Sequence, residues 1–384
     1  MESQPSQDTS DKPKKVALVH DFLVAYGGAE RVFEAIAEMY PEAPIYTLLY
    51  DKERMGEYFK GRDIRVSWLS KLPRFLKKRY RFFLPFFPVA VESFDLRDFD
   101  LVISSSGAWS KGIITRLNTK HIAYLHSPMR YAWDYHEQYL GEFGARGKRK
   151  ILLRMFMSYL RVWDRQAAER PDALLVNSKF TEARVKKYYR RESTVVYPGA
   201  LALFEKSLEP SSQRTIAERT HFLVVSRLTR SKKIDKVIEA FNKLELPMVI
   251  VGDGPQRQAL EGMAEKNIVF RGFVEESELV RLYSGARAVL FPSEEDFGMV
   301  IAEALSFGTP VIAYAYGGVK EIVQQGKTGE LFHSATPEII AEGVLRFLQN
   351  EGKYDKALMK QSVAHLTKEN FQESMRKFIG AHID

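Results

Sequence analysis

Short apolar runs alternate with helical patterns along almost the whole chain, and this alternation restricts the fold more than any other feature. The strand candidates are Val16–His20, Ile45–Leu49, Leu101–Ser104, Ile122–Leu125, Ala173–Asn177, Thr194–Tyr197, Phe222–Ser226, Met248–Gly252, Ile268–Arg271, Ala288–Phe291 and Val311–Tyr314. Helical patterns such as Gly28–Met39 and Lys179–Tyr189 separate them. Unbroken apolar strands between helices are typical of parallel sheets covered on both faces. The pattern predicts doubly wound α/β sheets with ligand sites just after the strands.

The length and one weakly patterned stretch predict the domain organisation. The 384 residues suit two domains at roughly 100–200 residues each. The stretch Gly199–Thr220 contains Pro210-Ser211-Ser212 and lacks a strong period, which is typical of a linker. We expect a disordered tail over 1–14, one domain over 15–205 and a second over 206–365. The helix over 366–384 either stays with the second domain or returns to the first.

Composition and charge limit the kinds of partner. The formal net charge of +8 favours anionic partners such as phosphates, nucleotides or acidic lipids. The absence of cysteine excludes disulfides and thiolate catalysis and suits a reducing compartment. No run approaches the ~18 apolar residues of a membrane span, and the polar first residues do not form a secretory signal. We expect a cytoplasmic protein with no nucleic-acid partner.

The strongest candidate site follows the strand that ends at Phe291. It consists of Glu295-Asp296-Phe297-Gly298 in a loop and Glu303 about one turn into the next helix. Unpaired N–H groups at a helix start carry the positive end of the helix dipole and suit a diphosphate. The alternative is that Glu295 and Asp296 cap the helix while Glu303 is solvated. The apolar neighbours of Glu303 make plain exposure less plausible.

This segment, with Ala304 after Glu303, resembles the paired-glutamate signature of the large retaining glycosyltransferase family 4, which has the two-domain GT-B fold. The resemblance implies that Glu295 contacts the hydroxyls of the donor sugar and that Glu303 binds the nucleotide ribose. It also implies that the backbone of Phe297, Gly298 and Met299 meets the phosphates. The family usually has Gly at the position of Asp296, so the loop differs there.

Two cations after the first strand of the second half match the same family. Val225-Ser226-Arg227-Leu228 followed by Lys232 resembles its Gly-Arg-Leu and Lys pair, which holds the donor diphosphate. Glycosyl transfer develops negative charge on the leaving diphosphate, and two fixed cations can stabilise it where no metal is present. The alternative is that Arg230, Lys232 and Lys233 form an ordinary solvated basic turn.

The first half supplies the other site candidates. Gly27 and Gly28 resemble the family's Gly-Gly loop before the first helix, where glycine allows a positive φ and a close approach to a ligand. His126 follows a strand and resembles the family's donor-sugar histidine; a hydrogen-bonded core histidine is the alternative. Arg130 and Tyr131 are candidates for the acceptor or sugar pocket.

Further ordered matches extend the resemblance over about residues 16–335. They are Tyr197-Pro198-Gly199 with Gly199 as a donor-binding candidate, Gly252-Asp253-Gly254-Pro255, Gly317-Gly318-Val319 and Glu321-Ile322-Val323. Asp98-Phe99-Asp100 has the Asp-x-Asp form of a metal–nucleotide site. It precedes its strand instead of following it, so we interpret it as a solvated turn and expect no required metal.

A basic and aromatic segment lies at Arg74–Phe87. At ~100° per residue, its cations other than Arg79 gather on one helix face, with aromatic side chains on the other. The residues that we expect to face an anionic membrane are Arg74, Lys77, Lys78, Arg81, Phe82 and Phe83. Such amphipathicity suits a bilayer surface. The alternative is a helix packed on the sheet with a solvated basic edge.

Together these features predict a GT-B protein with two Rossmann-like domains facing a cleft, the first on the acceptor side and the second binding the nucleotide-sugar. His126-Ser127-Pro128-Met129-Arg130-Tyr131 and Trp133-Asp134 look most like the bacterial surface-polysaccharide mannosyltransferase branch. The resemblance implies retaining transfer from GDP-mannose to a saccharide or lipid-linked saccharide, at the inner face of the cell membrane. A UDP-sugar is the alternative donor. A nucleotide-sugar epimerase and a non-catalytic nucleotide-sugar-binding membrane adaptor are the other functions considered.

Overall fold

The structure is a computed structural model, and it describes residues 14–71, 84–142, 147–201 and 219–383. Two parallel sheets form its framework, one of seven strands and one of six. The described parts contain no helix that combines the length and the apolar character needed to cross a bilayer.

The first sheet has the strand order β3-β2-β1-β4-β5-β6-β7. Its strands are β1 Val16–Leu23, β2 Ile45–Tyr50, β3 Ile64–Val66, β4 Leu101–Ser106, β5 Lys120–Leu125, β6 Ala173–Val176 and β7 Thr194–Val195. The helices along this part are α1 Gly28–Met39, α2 Lys52–Met55, α3 Phe87–Glu92, α4 His136–Glu142, α5 Lys148–Ala167 and α6 Lys179–Tyr189. Because β4 lies between β1 and β5, the loops that follow these three strands emerge side by side.

The second sheet has the order β10-β9-β8-β11-β12-β13. Its strands are β8 His221–Val225, β9 Met248–Val251, β10 Ile268–Gly272, β11 Ala286–Phe291, β12 Val311–Tyr314 and β13 Gly329–Phe332. The helices along this part are α7 Ile234–Leu244, α8 Arg257–Glu261, α9 Glu276–Gly285, α10 Met299–Ser306, α11 Val319–Ile322, α12 Pro337–Asn350, α13 Lys356–Val363 and α14 Lys368–Ile383. The chain order turns back between β8 and β11, which are hydrogen-bonded neighbours.

The predicted fold class is confirmed, since both sheets are parallel and doubly wound. Two strands escaped the sequence pattern, β3 at Ile64–Val66 and β13 at Gly329–Phe332. The first is a three-residue edge strand with two exposed positions. The second contains Gly329 and Glu330 instead of an unbroken apolar run. Both pair with only one neighbour, so neither needs a long apolar sequence.

The chain divides into two compact units. One comprises Met1–Val176, Arg184–Thr194 and Arg376–Asp384; the other comprises Asn177–Ala183 and Val195–Met375. The chain therefore passes between the units more than once. In the first unit, the Lys14 Nζ donates a hydrogen bond to the Ile383 carbonyl at 3.2 Å, so the end of α14 belongs there.

Each unit has a core of its own. In the first, an aromatic group lies under β1 and β4, with Trp109 and Trp163 ring centroids 5.4 Å apart. In the second, buried aliphatic residues of β8, β11 and β12 pack against α7, α10 and α12. The strand side chains of both cores come from the apolar runs from which the fold was predicted, and burial of apolar surface is the main source of stability.

Candidate functional site

The second unit brings two predicted loops to one sheet edge. Arg227 and Lys232 follow β8, whereas Glu295 and Gly298 follow β11. Because β8 and β11 are parallel neighbours, their carboxyl ends meet at the same edge and the two loops emerge there together. This edge also lies where the chain order of the sheet turns back.

Lys232 and Glu295 form a hydrogen-bonded ion pair. Their side chains are 25% and 20% exposed, so the pair is accessible from solvent without being fully solvated. A neighbouring pair repeats the arrangement, since Lys233 Nζ lies 3.9 Å from a carboxylate oxygen of Glu294. Lys233 Nζ also lies 4.9 Å from the ring centroid of Tyr314. Both lysines of this turn are therefore paired with carboxylates, whereas Arg230 is exposed.

Glu303 is buried within α10, with 2% of its surface exposed. The hydroxyl of Tyr283, on α9, donates to its Oε2 at 2.8 Å. The solvated-helix alternative for Glu303 is thus wrong. Sequence reasoning missed Tyr283, because it lies 20 residues earlier and no local pattern connects it with the glutamate.

Gly298 is the N-cap residue of α10 and has a φ of +105°. The N-cap position is thus held by Gly298 and not by Glu295 or Asp296. A positive φ of this size favours glycine, and a Cβ there would also lie 3.0 Å from the Cδ1 of Ile301. The first N–H groups of α10, beginning at Met299, have no partner within the helix and suit an anion.

The loop that carries Glu295 is supported from two sides. The Gly318 N–H donates to the Glu295 carbonyl at 3.0 Å, and a Cβ on Gly317 would lie 2.0 Å from that same oxygen. The Ser178 hydroxyl donates to the Asp296 carbonyl. The glycine pair at 317–318 thus allows a close backbone approach, which explains part of the resemblance physically.

Arg227 lies on an exposed turn after β8. The Leu228 N–H donates to the Asp253 carbonyl at 2.9 Å, and a Cβ on Gly252 would lie 1.9 Å from the Ser226 carbonyl oxygen. The turn at Gly252-Asp253-Gly254 therefore supports the loop that carries Arg227. The role of Arg227 at a diphosphate stays a prediction.

The first unit brings other candidates together around β4. The Ser105 hydroxyl lies 2.8 Å from His126 Nε2 and 3.1 Å from His20 Nδ1. On the far side, His20 Nε2 lies 3.8 Å from a carboxylate oxygen of Glu30. His126 is half-buried, so it is neither a fully enclosed core residue nor a free one.

The electrostatics of this row of interacting side chains favour an ionised carboxylate on Glu30, which lies at one end of the row. Burial raises the pKa of Glu30, but its hydrogen bond with His20 and the nearby charges of His20 and His126 outweigh burial, so its pKa is lowered overall. Sequence reasoning missed Glu30, Ser105 and His20. Their connection depends on the order of β1, β4 and β5, and nothing in the local sequence shows it.

The backbone conformation of Gly27 differs from the one that the sequence led us to expect. Its φ is −157°, which is extended backbone that any residue adopts. The positive φ expected of this Gly-Gly loop is therefore wrong for Gly27, while Gly28 is the first residue of α1. A small residue can still leave space for a ligand here, and that role stays a prediction.

Comparison with known proteins agrees with the two-unit architecture. Residues 26–200 match the family model described as Glycosyltransferase Family 4, and residues 206–362 match the model described as Glycosyl transferases group 1. An Anabaena HepE structure in complex with UDP and glucose has a TM-score of 0.69 and 18% identity, covering 96% of this chain and all of that one. The chain is a GT-B protein of the family 4-like glycosyltransferases.

Two other relatives show how far the likeness of this GT-B protein extends. An uncharacterized glycosyltransferase of Methanocaldococcus jannaschii is 37% identical over 140 residues, which cover 34% of this chain and 36% of that one. The chain thus aligns with about a third of the length of this curated relative. The apo structure of the lipopolysaccharide outer core galactosyltransferase WaaB has a TM-score of 0.61 and 15% identity, covering 94% and 99% of the two chains.

The remaining predicted residues of the GT-B protein lie in different surroundings. A Cβ on Gly199 would lie 2.7 Å from the Lys368 Cα, so backbone packing already explains this glycine. Tyr131 stacks on Tyr139 with ring centroids 5.2 Å apart, while the Arg130 guanidinium lies 5.8 Å from the ring centroid of Tyr135. The binding roles of Gly199, Arg130 and Tyr131 stay predictions.

Two surface predictions have different outcomes. The predicted membrane-facing residues lie outside the described residues; they are Arg74, Lys77, Lys78, Arg81, Phe82 and Phe83. At Asp98-Phe99-Asp100, the Asp100 carboxylate accepts a hydrogen bond from the Lys15 backbone N–H at 2.8 Å, which agrees with a turn. Within the described ranges, no three side chains suited to metal binding are grouped together.

Proposed function

We propose that this GT-B protein is a glycosyltransferase that moves a hexose from a nucleotide-diphosphate donor to a saccharide, with retention of configuration. One observation carries the proposal: the Lys232–Glu295 pair precedes the open start of α10, and the same helix carries buried Glu303. The cation and the helix start suit the diphosphate of a sugar nucleotide. The two carboxylates at the same sheet edge suit the hydroxyls of its sugar and its ribose.

Each part of the site has a chemical task in this proposal. Lys232, Arg227 and the first N–H groups of α10 stabilise the charge on the leaving diphosphate. Glu295 and His126 orient the sugar, and Glu303 accepts hydrogen bonds from the ribose hydroxyls. The bond between C1 and the diphosphate oxygen breaks, and C1 bonds to the acceptor oxygen on the same face. The acceptor proton passes to the leaving phosphate, so no protein nucleophile or metal is required.

GDP-mannose is the donor that we propose, from the resemblance of the His126-Ser127-Pro128 segment. UDP-glucose is the second candidate, and the HepE structure that holds UDP and glucose favours it. The acceptor in the proposal is a growing surface polysaccharide or its lipid-linked precursor. WaaB, a lipopolysaccharide galactosyltransferase by its description, supports this class of acceptor. The reaction would take place in the cytoplasm, at the inner face of the cell membrane.

Donor-dependent stabilisation and turnover test the proposal together. A ligand that binds only the folded state raises its apparent stability by mass action. We expect GDP-mannose, or next UDP-glucose, to raise the unfolding temperature, and the same donor to be consumed when saccharide acceptors are added. Lys232→Ala and Glu295→Ala should each lower transfer at least about tenfold, or ~1.4 kcal/mol of transition-state stabilisation.

Lys243→Ala is the matched control, because it removes a lysine from an exposed ion pair with Glu338 outside the predicted site. It should transfer sugar like the parent chain. Donor turnover that needs no acceptor would identify an epimerase. Donor binding without turnover, unaffected by Lys232→Ala, would identify a non-catalytic adaptor.

A further inference from the structure

Helix α5, Lys148–Ala167, exposes an apolar stripe that the core of its unit does not cover. Five large apolar side chains on it are between 54% and 69% exposed: Ile151, Leu152, Met155, Tyr159 and Val162. At 100° per residue they fall within an arc of roughly 100°. Large contiguous apolar patches are rare on monomeric soluble proteins, and they often mark interaction sites.

The stripe is separate from the face that holds the helix in place. Met157, Leu160, Trp163 and Ala167 are buried in the core of the unit. On the helical wheel the centre of this buried face lies about 130° from the centre of the exposed stripe, with Trp163 at the border between them. Packing therefore accounts for one apolar face of α5 and leaves the other without a function.

The charges on α5 indicate an anionic partner. The helix carries six Lys or Arg residues and one Asp, and that Asp164 is buried against Lys111 Nζ at 2.6 Å. Lys148 and Arg149 are exposed in the first turn, where no acid is present. Cations are unfavourable at a helix N-terminus because of the helix dipole. A negative surface near this turn would remove that penalty.

A basic stripe also borders the apolar one. Arg154 and Lys150 share one acid, since their side-chain nitrogens lie 2.8 and 3.7 Å from oxygens of Glu137. Arg161 and Arg165 continue this basic stripe along the helix, while Lys148 lies at the end of the apolar stripe and Arg149 beyond its other edge. A helix with an exposed apolar stripe beside cations suits the boundary of an anionic bilayer, where acyl chains meet phosphate headgroups.

We propose that the exposed stripe of α5 docks this protein on an anionic lipid bilayer. The proposal extends the membrane part of the proposed function and does not depend on the residues 74–83. A second copy of the chain is a poorer occupant, because pairing two such helices would bring their cations together. Bilayer docking would also place the first unit next to a lipid-linked acceptor.

Vesicle co-sedimentation of the full chain tests this surface. The probes are phosphatidylcholine vesicles with and without phosphatidylglycerol. We expect the chain to bind the anionic vesicles and to lose most binding in high salt. The variant L152Q/M155Q/Y159Q should lower the vesicle partition coefficient at least about tenfold, and K148Q/R149Q should weaken anionic binding severalfold.

The control is Phe273→Gln, which removes an 82% exposed aromatic side chain from the other unit and should leave vesicle binding unchanged. Circular dichroism verifies folding, and donor-dependent stabilisation should persist in every variant. Equal vesicle binding by the parent and the triple variant would overturn the proposal while leaving the glycosyltransferase assignment intact. A parent dimer that the triple variant makes monomeric, with vesicle binding unaltered, would instead identify a self-association face and also overturn it.

Discussion

The Lys232–Glu295 ion pair leads to a prediction for the Glu295→Gln variant in which ligand binding and sugar transfer change in opposite directions. Glu295 is hydrogen-bonded to Lys232, the cation that the proposal assigns to the diphosphate. A diphosphate must therefore displace the carboxylate before it can use Lys232. Removing the negative charge should strengthen binding of the nucleoside diphosphate and weaken sugar transfer, because the same carboxylate then no longer orients the sugar.

The size of the effect follows from the exposure of the two side chains. Charges at contact distance near a protein surface attract by about 4 kcal/mol at an effective dielectric constant of ~20. Solvent screening and lost side-chain freedom reduce the net value, since the side chains are 25% and 20% exposed. A hydrogen bond to a charged group contributes roughly 1.5–3 kcal/mol. We take a net cost of about 1–2 kcal/mol, which corresponds to about a 5- to 30-fold gain in affinity.

Isothermal titration calorimetry with the diphosphate of the preferred donor measures this gain. Glu294→Gln is the matched control, because it removes an equal charge from the preceding residue, which pairs with Lys233 instead. We expect the control to gain clearly less affinity than Glu295→Gln. The reasoning is refuted if Glu295→Gln binds the diphosphate no better than Glu294→Gln does, or if it transfers sugar at the parent rate.

Three further changes test other parts of the protein. Tyr283→Phe removes the 2.8 Å hydrogen bond to buried Glu303, so calorimetry should show nucleotide affinity lowered about tenfold. Unchanged affinity would contradict the ribose-binding role of Glu303. Ser105→Ala removes the hydroxyl that contacts His126; transfer should fall about tenfold and its pH profile should shift, whereas a stability loss alone would make the contact purely structural. Burial lowers the pKa of His121 to about 3, below its unfolded value of ~6.5. The native state therefore loses stability as the pH falls from 6.5 toward 3, by about 1.4 kcal/mol per pH unit. Urea unfolding of His121→Gln at pH 7 and pH 5 should show a weaker acid dependence than the parent, and equal dependence would contradict this.

Local sequence determined the fold class and the residues of one loop region. Apolar strand runs predicted eleven of the strands, because a fully buried parallel strand needs apolar side chains on both faces. The positions of Glu295, Gly298 and Glu303 relative to α10 were also predictable. Their spacing sets which residue precedes the helix, which one begins it and which one lies a turn inside it.

Strand order decided the rest, because it brings together residues that are far apart in the chain. Lys232 meets Glu295 since β8 pairs with β11, and Ser105 reaches both His20 and His126 since β4 lies between β1 and β5. The exposed stripe of α5 is likewise a tertiary property. A helix that is apolar on more than one side can bury only the face that its own unit covers, and the amino-acid pattern does not say which face that is.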